Sequence, residues 1–264
     1  MGAVGTLAVR PIFISTVQYE QQLATGQVTI LDVAPAAARF GVQGVEYRDV
    51  HWKDKAVELP AVRRQLTECK LRATYTTLMP LYDPDPTHQK QLLQDLEDAR
   101  ALGALLLRVN LGARPDPEPS HAPIHYAARK AVERAAALRV ALSIENSSQP
   151  PGHSVAEIET ALQAFSCRWV GTNIDYANYG GTGQDPLTAI RRLSRWINYV
   201  HAKDGVLTGE GFRATFLGDG SLPVAEILAA IHAPGKPVPL CFEFPGGDDP
   251  ERAITQSLAF LRRA

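Results

Sequence analysis

RVALSIENS (139–147) and RWVGTNIDY (168–176) decide the reading of this chain. Each is a largely apolar run that ends near an acid, Glu145 in the first and Asp175 in the second. Two later runs have the same form: INYVHAKDG (197–205) carries His201 and PVPLCFEF (237–244) carries Glu243. Helix-like segments separate them, which predicts parallel βαβ units. Placed side by side in one barrel, the four runs bring Glu145, Asp175, His201 and Glu243 to the same mouth. That is the end where barrel enzymes carry their chemistry.

Working outward, PIFISTVQY (11–19), GVEYRDV (44–50), LRATYTTLM (71–79) and ALLLRVNLG (104–112) supply the remaining strands, eight in all. Helices are predicted over 29–40, 87–103, 123–138, 155–166, 186–196 and 223–232, and from Pro250 to the C-terminus. In the clearest of them Leu92, Leu93, Leu96, Ala99 and Leu102 form a stripe at helical spacing, with Gly103 as C-cap. Ser154 and Glu157 have the spacing of a capping box. Asp248 and Asp249 precede Pro250 as caps of the last helix. The chain of 264 residues is about the size of one eight-fold barrel. The expected fold is therefore α/β, a (β/α)8 TIM barrel forming a single domain over 1–264, with a doubly wound open sheet as the alternative.

Composition narrows the function. Lys and Arg number 27 against 28 Asp and Glu, giving a net charge of −1 and no basic face for nucleic acid. No run reaches the roughly 18 apolar residues of a membrane helix. Gly2 and Thr6 match the loose myristoylation pattern, which is set aside for want of a second membrane signal. Cys69, Cys167 and Cys241 are scattered and odd in number, which fits a reducing cytoplasm better than a disulfide framework.

Alternation along each strand puts Ser143 with Glu145, Asn173 with Asp175, Tyr199 with His201 and Lys203, and Cys241 with Glu243. Such polar sets cannot face an apolar helix layer, so they point into the barrel. Three carboxylates and one imidazole make a cage for one divalent metal ion, Mn²⁺ or Mg²⁺ by hardness, with Co²⁺ and Zn²⁺ as tighter-binding alternatives.

GVEYRD (44–49), SIEN (143–146), NIDYAN (173–178), VHAKD (200–204) and FEF (242–244) occur in that order. With FLGDGSLP (216–223), they resemble the xylose isomerase-like TIM-barrel superfamily of sugar phosphate isomerases and epimerases, over roughly residues 10–262. The resemblance implies a metal on Glu145, Asp175, His201 and Glu243, gripping two oxygens of a hydroxy-ketone. Glu145 and Glu243 would then move the proton through an enediolate. Lys203 would stabilise the developing oxyanion or bind a substrate anion; its bland reading is a rim ion pair with Asp204 or Glu243. Relatives often carry His three residues after the strand-six Asp. Here Asn178 stands there, able to hydrogen-bond a hydroxyl but not to shuttle a proton.

Glu46, Arg48, Arg108 and Asn110 are expected across the pocket on substrate oxygens, or as an ion pair of Glu46 with Arg108. Trp52 is a candidate to pack on a sugar face. Arg213, in the long loop after strand seven, is a candidate to close over an anionic substrate. Gly180 to Gly183 reads as a flexible loop over the site. The implied activity is isomerisation or epimerisation of a small keto-sugar, polyol or hydroxy-carbonyl compound. The alternatives are a dehydratase or lyase of the inosose dehydratase kind and a non-catalytic sugar-binding relative. The expected partner is a carbohydrate-like small molecule; neither nucleic acid nor membrane is expected, and fold analogy suggests a homodimer.

Overall fold

Strand propensity and helix caps alternate along the chain, and the computed structural model closes that alternation into a ring. It describes residues 10–209, 211–233 and 237–263; residues 1–9, with Gly2 and Thr6, lie outside them. The barrel strands are β1 (Ile12–Ser15), β2 (Gly44–Arg48), β3 (Arg72–Tyr82), β4 (Ala104–Gly112), β5 (Ala141–Glu145), β6 (Val170–Asp175) and β7 (Ile197–Ala202). A hairpin of β8 (Asp204–Thr208) and β9 (Gly211–Thr215) intervenes before β10 (Leu240–Phe242) closes the ring against β1. Every barrel pairing is parallel, as expected of a (β/α)8 barrel.

Local chemistry sets the helix limits. Asp85 caps the helix Pro86–Leu102 by accepting from the Thr87 N–H, and Gly103 ends it at φ 81°. Ser154 and Glu157 form the capping box of Val155–Phe165, and Asp249 caps Pro250–Leu261. Buried stripes such as Leu92, Leu96, Ala99 and Leu102 lock the helices onto the strands. No helix among the described residues is long and apolar enough to cross a membrane, and all three cysteines are free.

The barrel interior has its own small core. Phe13, Leu106, Tyr199 and Cys241 fill it, with Phe13 and Tyr199 edge to face at 6.2 Å. The Tyr199 hydroxyl is satisfied by Thr74 Oγ1 at 2.9 Å. This plug closes the barrel below the strand ends, so the polar residues above it share one floor.

Several expected elements differ. The first strand stops at Ser15, because the Ser15 hydroxyl accepts from the Val17 N–H and the chain turns into a 3-10 helix, Thr16–Tyr19. The turn brings the Gln18 amide to the carbonyls of Phe242 and Phe244, at 3.2 and 2.7 Å. The second strand ends at Arg48, followed by a 3-10 turn, Asp49–His51. Gly180 and Gly181 belong to a helix, Tyr176–Gly181, rather than a loose loop, because the buried Tyr176 and Tyr179 anchor it. The expected long loop after strand seven is the β8–β9 hairpin, tied down by the Asp204 carboxylate. That group accepts from the N–H groups of Gly205, Gly218 and Leu222.

Candidate active site

Above the aromatic plug, Glu145 ends β5, Asp175 ends β6, His201 sits in β7 and Glu243 follows β10. Ligand atoms of Glu145, Asp175 and His201 lie within 4.8 Å of one another. Glu243 Oε2 is 3.9 Å from His201 Nδ1. All four side chains are largely withdrawn from water, Glu243 being the most open at 18%.

Each member is held by its own partners. A carboxylate stands at each His201 ring nitrogen: Glu145 Oε1 at 2.5 Å from Nδ1 and Glu46 Oε2 at 2.9 Å from Nε2. Asn173 Nδ2 donates to Glu145 Oε1 at 3.1 Å, and the Arg108 guanidinium pairs with Glu145 Oε2. Lys203 Nζ lies 2.7 Å from both Asp175 Oδ2 and Glu243 Oε2. Asp175 Oδ1 accepts from the Asn178 N–H, which makes it the cap of Tyr176–Gly181 as well. Gln18, donating to the carbonyls either side of Glu243, fixes the backbone that presents it.

The electrostatics follow from the pairing. Burial pushes the Glu243 carboxyl up, but Lys203 and His201 outweigh it and hold it at about 2. Burial likewise opposes Glu46 ionisation, and His201 turns the balance to below the ordinary value. Desolvation disfavours the Lys203 ammonium, yet Asp175 and Glu243 drive its pKa well up. Burial lowers the Arg108 pKa against the pull of Glu243, Glu46 and Asp175. Burial pushes the Cys241 thiol up, which leaves it a packing residue rather than a nucleophile.

The remaining candidates take varied places. Glu46 and Arg108 join the cluster, but not as a pair with each other: Glu46 meets His201 and Arg108 meets Glu145. Lys203 pairs with Asp175 and Glu243, whereas Asp204 is spent on the hairpin. The Asn110 amide donates to the Leu78 carbonyl at 3.1 Å, beside Glu145 in the β4–β5 register. The Asn178 amide donates to the Asn146 carbonyl at 2.9 Å. Arg213 is exposed on β9, beside a surface cavity lined also by Asp219, Asp248 and Arg252. Trp52 is stacked between Tyr47 and Tyr75, at 5.5 and 6.3 Å, as a packing residue.

Besides Gln18, a second contributor is not singled out by the sequence pattern. The buried Asn146 donates through its amide to the Asp175 carbonyl and accepts from the Asp175 N–H, at 2.9 and 3.0 Å. This two-way clamp sets where Asp175 points. Its signal was present in SIEN, since a polar residue one place after the strand-end acid must find a partner if buried.

Whether these residues suit a divalent metal is decided by the donors. Hard carboxylate oxygens and one imidazole converge, the donor chemistry that Mn²⁺ or Mg²⁺ prefers, and an ion bound there would compete with Lys203 for Asp175 and Glu243. The donor set therefore fits such an ion.

Comparison with known proteins gives the same outline. The family model described as xylose isomerase-like TIM barrel matches residues 34–264. No match is found among curated proteins. Among solved structures, a D-allulose 3-epimerase from Methylomonas sp., in complex with D-allulose, superposes with TM-score 0.75 at 16% identity, covering 97% of this chain and 98% of that one. A probable 3-DHS dehydratase from Bacillus anthracis gives 0.77 at 15% identity, over 95% and 98%. A 3-keto-D-glucoside 4-epimerase from E. coli gives 0.71 at 15%, over 97% and 100%.

Proposed function

The chain belongs to the xylose isomerase-like TIM-barrel family, and on that premise we propose that it is a divalent-metal-dependent isomerase or epimerase of a small hydroxy-carbonyl compound, a keto-sugar or polyol derivative. The observation that carries the reading is the buried convergence of Glu145, Asp175 and His201, with Glu243 alongside. These four residues would hold the ion, whose chemistry when bound is Lewis acidity at a carbonyl oxygen.

The chain's own groups supply the rest. Glu145 and Glu243 are the acid–base pair: one takes the proton α to the carbonyl and the other returns a proton to the neighbouring carbon. Glu243 is ionised at neutral pH, the form a base needs, and loosening its contact with Lys203 would raise its basicity. Lys203 is the cation nearest Glu243 and Asp175, placed to donate to a developing oxyanion. Glu46 and Asn173 are positioning residues, the first acting on His201 and the second on Glu145. The plug of Phe13 and Tyr199 keeps water out from below.

The test is exchange of the α-proton of keto-sugars and hydroxy-ketones in D₂O, read by mass spectrometry after quenching. Exchange is expected with added Mn²⁺ or Mg²⁺ and should stop with EDTA. Exchange indifferent to EDTA, or no exchange in any compound of the class, would remove this reading.

A further inference from the structure

Arg48 has no partner inside this otherwise tightly paired cluster. It follows Glu46 by two residues on β2, so both side chains share the inward face, with Arg48 nearer the mouth. Strand register sets Arg48 opposite Thr76 on β3, which in turn lies opposite Arg108 on β4, so Arg48 stands over the same polar floor. The His51 ring, desolvated and beside Arg48, titrates only at about 4 and so adds no charge at neutral pH. The other two cations of the cluster are taken, Arg108 by Glu145 and Lys203 by Asp175 and Glu243. Among the described residues, no carboxylate lies within ion-pair distance of the Arg48 guanidinium, and its backbone N–H, donating to Thr16 Oγ1, makes its one hydrogen bond to a side chain.

The charge balance gives that observation a direction. Four carboxylates, Glu46, Glu145, Asp175 and Glu243, face three fixed cations, Arg48, Arg108 and Lys203. A divalent ion turns this deficit of one into an excess of one positive charge. Glu145 Oε2, Asp175 Oδ2 or Glu243 Oε2 given to the ion would also be withdrawn from Arg108 or Lys203. A neutral sugar would leave those buried cations uncompensated, which is costly in a dry site.

Resting on the function proposed above, we infer that the substrate carries an oxyanion, a carboxylate or a phosphate, next to its hydroxy-carbonyl group, and that Arg48 binds it. A guanidinium fork suits either group because it can donate two parallel N–H bonds. Arg48 is then the specificity residue that separates anionic substrates from neutral sugars of the same skeleton.

The test uses three small hydroxy-ketones that share a head group: dihydroxyacetone, hydroxypyruvate and dihydroxyacetone phosphate. Their binding to the full chain, with and without Mn²⁺, is measured by titration calorimetry for the wild type, Arg48→Gln and Arg48→Lys. One of the two anions should bind at least about 10-fold tighter than dihydroxyacetone, and which one does so identifies the group. Arg48→Gln should lose about 10- to 100-fold for that anion and nothing for the neutral compound. Arg48→Lys should fall between, keeping the charge without the fork. Mn²⁺ affinity and melting temperature should be unchanged or raised in Arg48→Gln, because a cation near Arg108 has been removed.

Equal binding of all three compounds, failure of both anions to bind, or an anion preference that survives Arg48→Gln would overturn the inference. Metal-dependent exchange on neutral ketones would then stand by itself. An Arg48-dependent anion preference in a protein that takes up no metal would uphold the inference and overturn the metal-dependent mechanism instead.

Discussion

Glu145→Gln is expected to lower metal-dependent α-proton exchange by about 10³-fold or more, at the upper part of the range for removing a general base. Gln keeps the shape and can still accept from Asn173, so the barrel should keep its circular dichroism. It loses the negative charge opposite Arg108, a side chain only 11% exposed. Breaking a buried pair costs about 3–5 kcal/mol when the remaining charge is stranded. Here Glu243, Glu46 and Asp175 still hold Arg108, so a loss of about 1–3 kcal/mol is expected. At roughly 2–4 °C per kcal/mol for a chain of this size, the variant should melt several degrees lower. Exchange within about 10-fold of the wild type would show that Glu145 is not the acid–base group.

Lys203→Met is the second large effect, and it is read in stability against pH. Glu243 titrates at about 2 rather than the ordinary 4.5, chiefly because Lys203 overcomes its burial. A carboxylate whose folded pKa is depressed stabilises the fold above its unfolded pKa. That contribution is lost as pH falls from about 4.5 to about 2. The shift corresponds to on the order of 3 kcal/mol at neutral pH. Without Lys203, most of this should vanish, and Asp175 and Glu243 should repel each other. The variant is expected to melt about 5–12 °C below the wild type at pH 7, with the gap closing as pH falls toward 2. Excess Mn²⁺ should narrow the gap at pH 7, since without Lys203 between Asp175 and Glu243 the variant should bind the ion more tightly and gain more from it by mass action. Thermal melts at pH 7, 4 and 3 measure all of this. A gap that does not change with pH would mean that Lys203 supports the fold by packing rather than by charge.

Much of the barrel was legible because its rules are local. A parallel strand buried on both faces reads as an apolar run, and caps such as Asp85, Ser154 and Asp249 mark the helices between. ALLLRVNLG matches β4 residue for residue. The convergence of strand-end acids followed from alternation together with ring closure. What stayed hidden depends on distance across the ring. Glu46 meets His201 155 residues away, and no spacing rule states which of two acids an arginine on β4 will choose. Arg108 reads from the sequence as a substrate contact, with an ion pair to Glu46 as the alternative, yet the β4–β5 neighbourhood gives it Glu145. The β8–β9 hairpin was read as loop because its order comes from one buried carboxylate, Asp204, taking three N–H groups. Gly180 to Gly183 reads as a flexible loop because glycines signal freedom, but the buried Tyr176 and Tyr179 fix the helix that takes in Gly180 and Gly181.

The account turns on whether Glu145, Asp175, His201 and Glu243 form a metal site. The direct measurement is metal content by plasma mass spectrometry after Mn²⁺ loading and desalting, on the wild type and on His201→Ala. About one ion per chain in the wild type, lost in His201→Ala, is the predicted result. No metal in either protein would contradict it and leave Lys203 and Arg108 as the permanent counter-ions of these carboxylates.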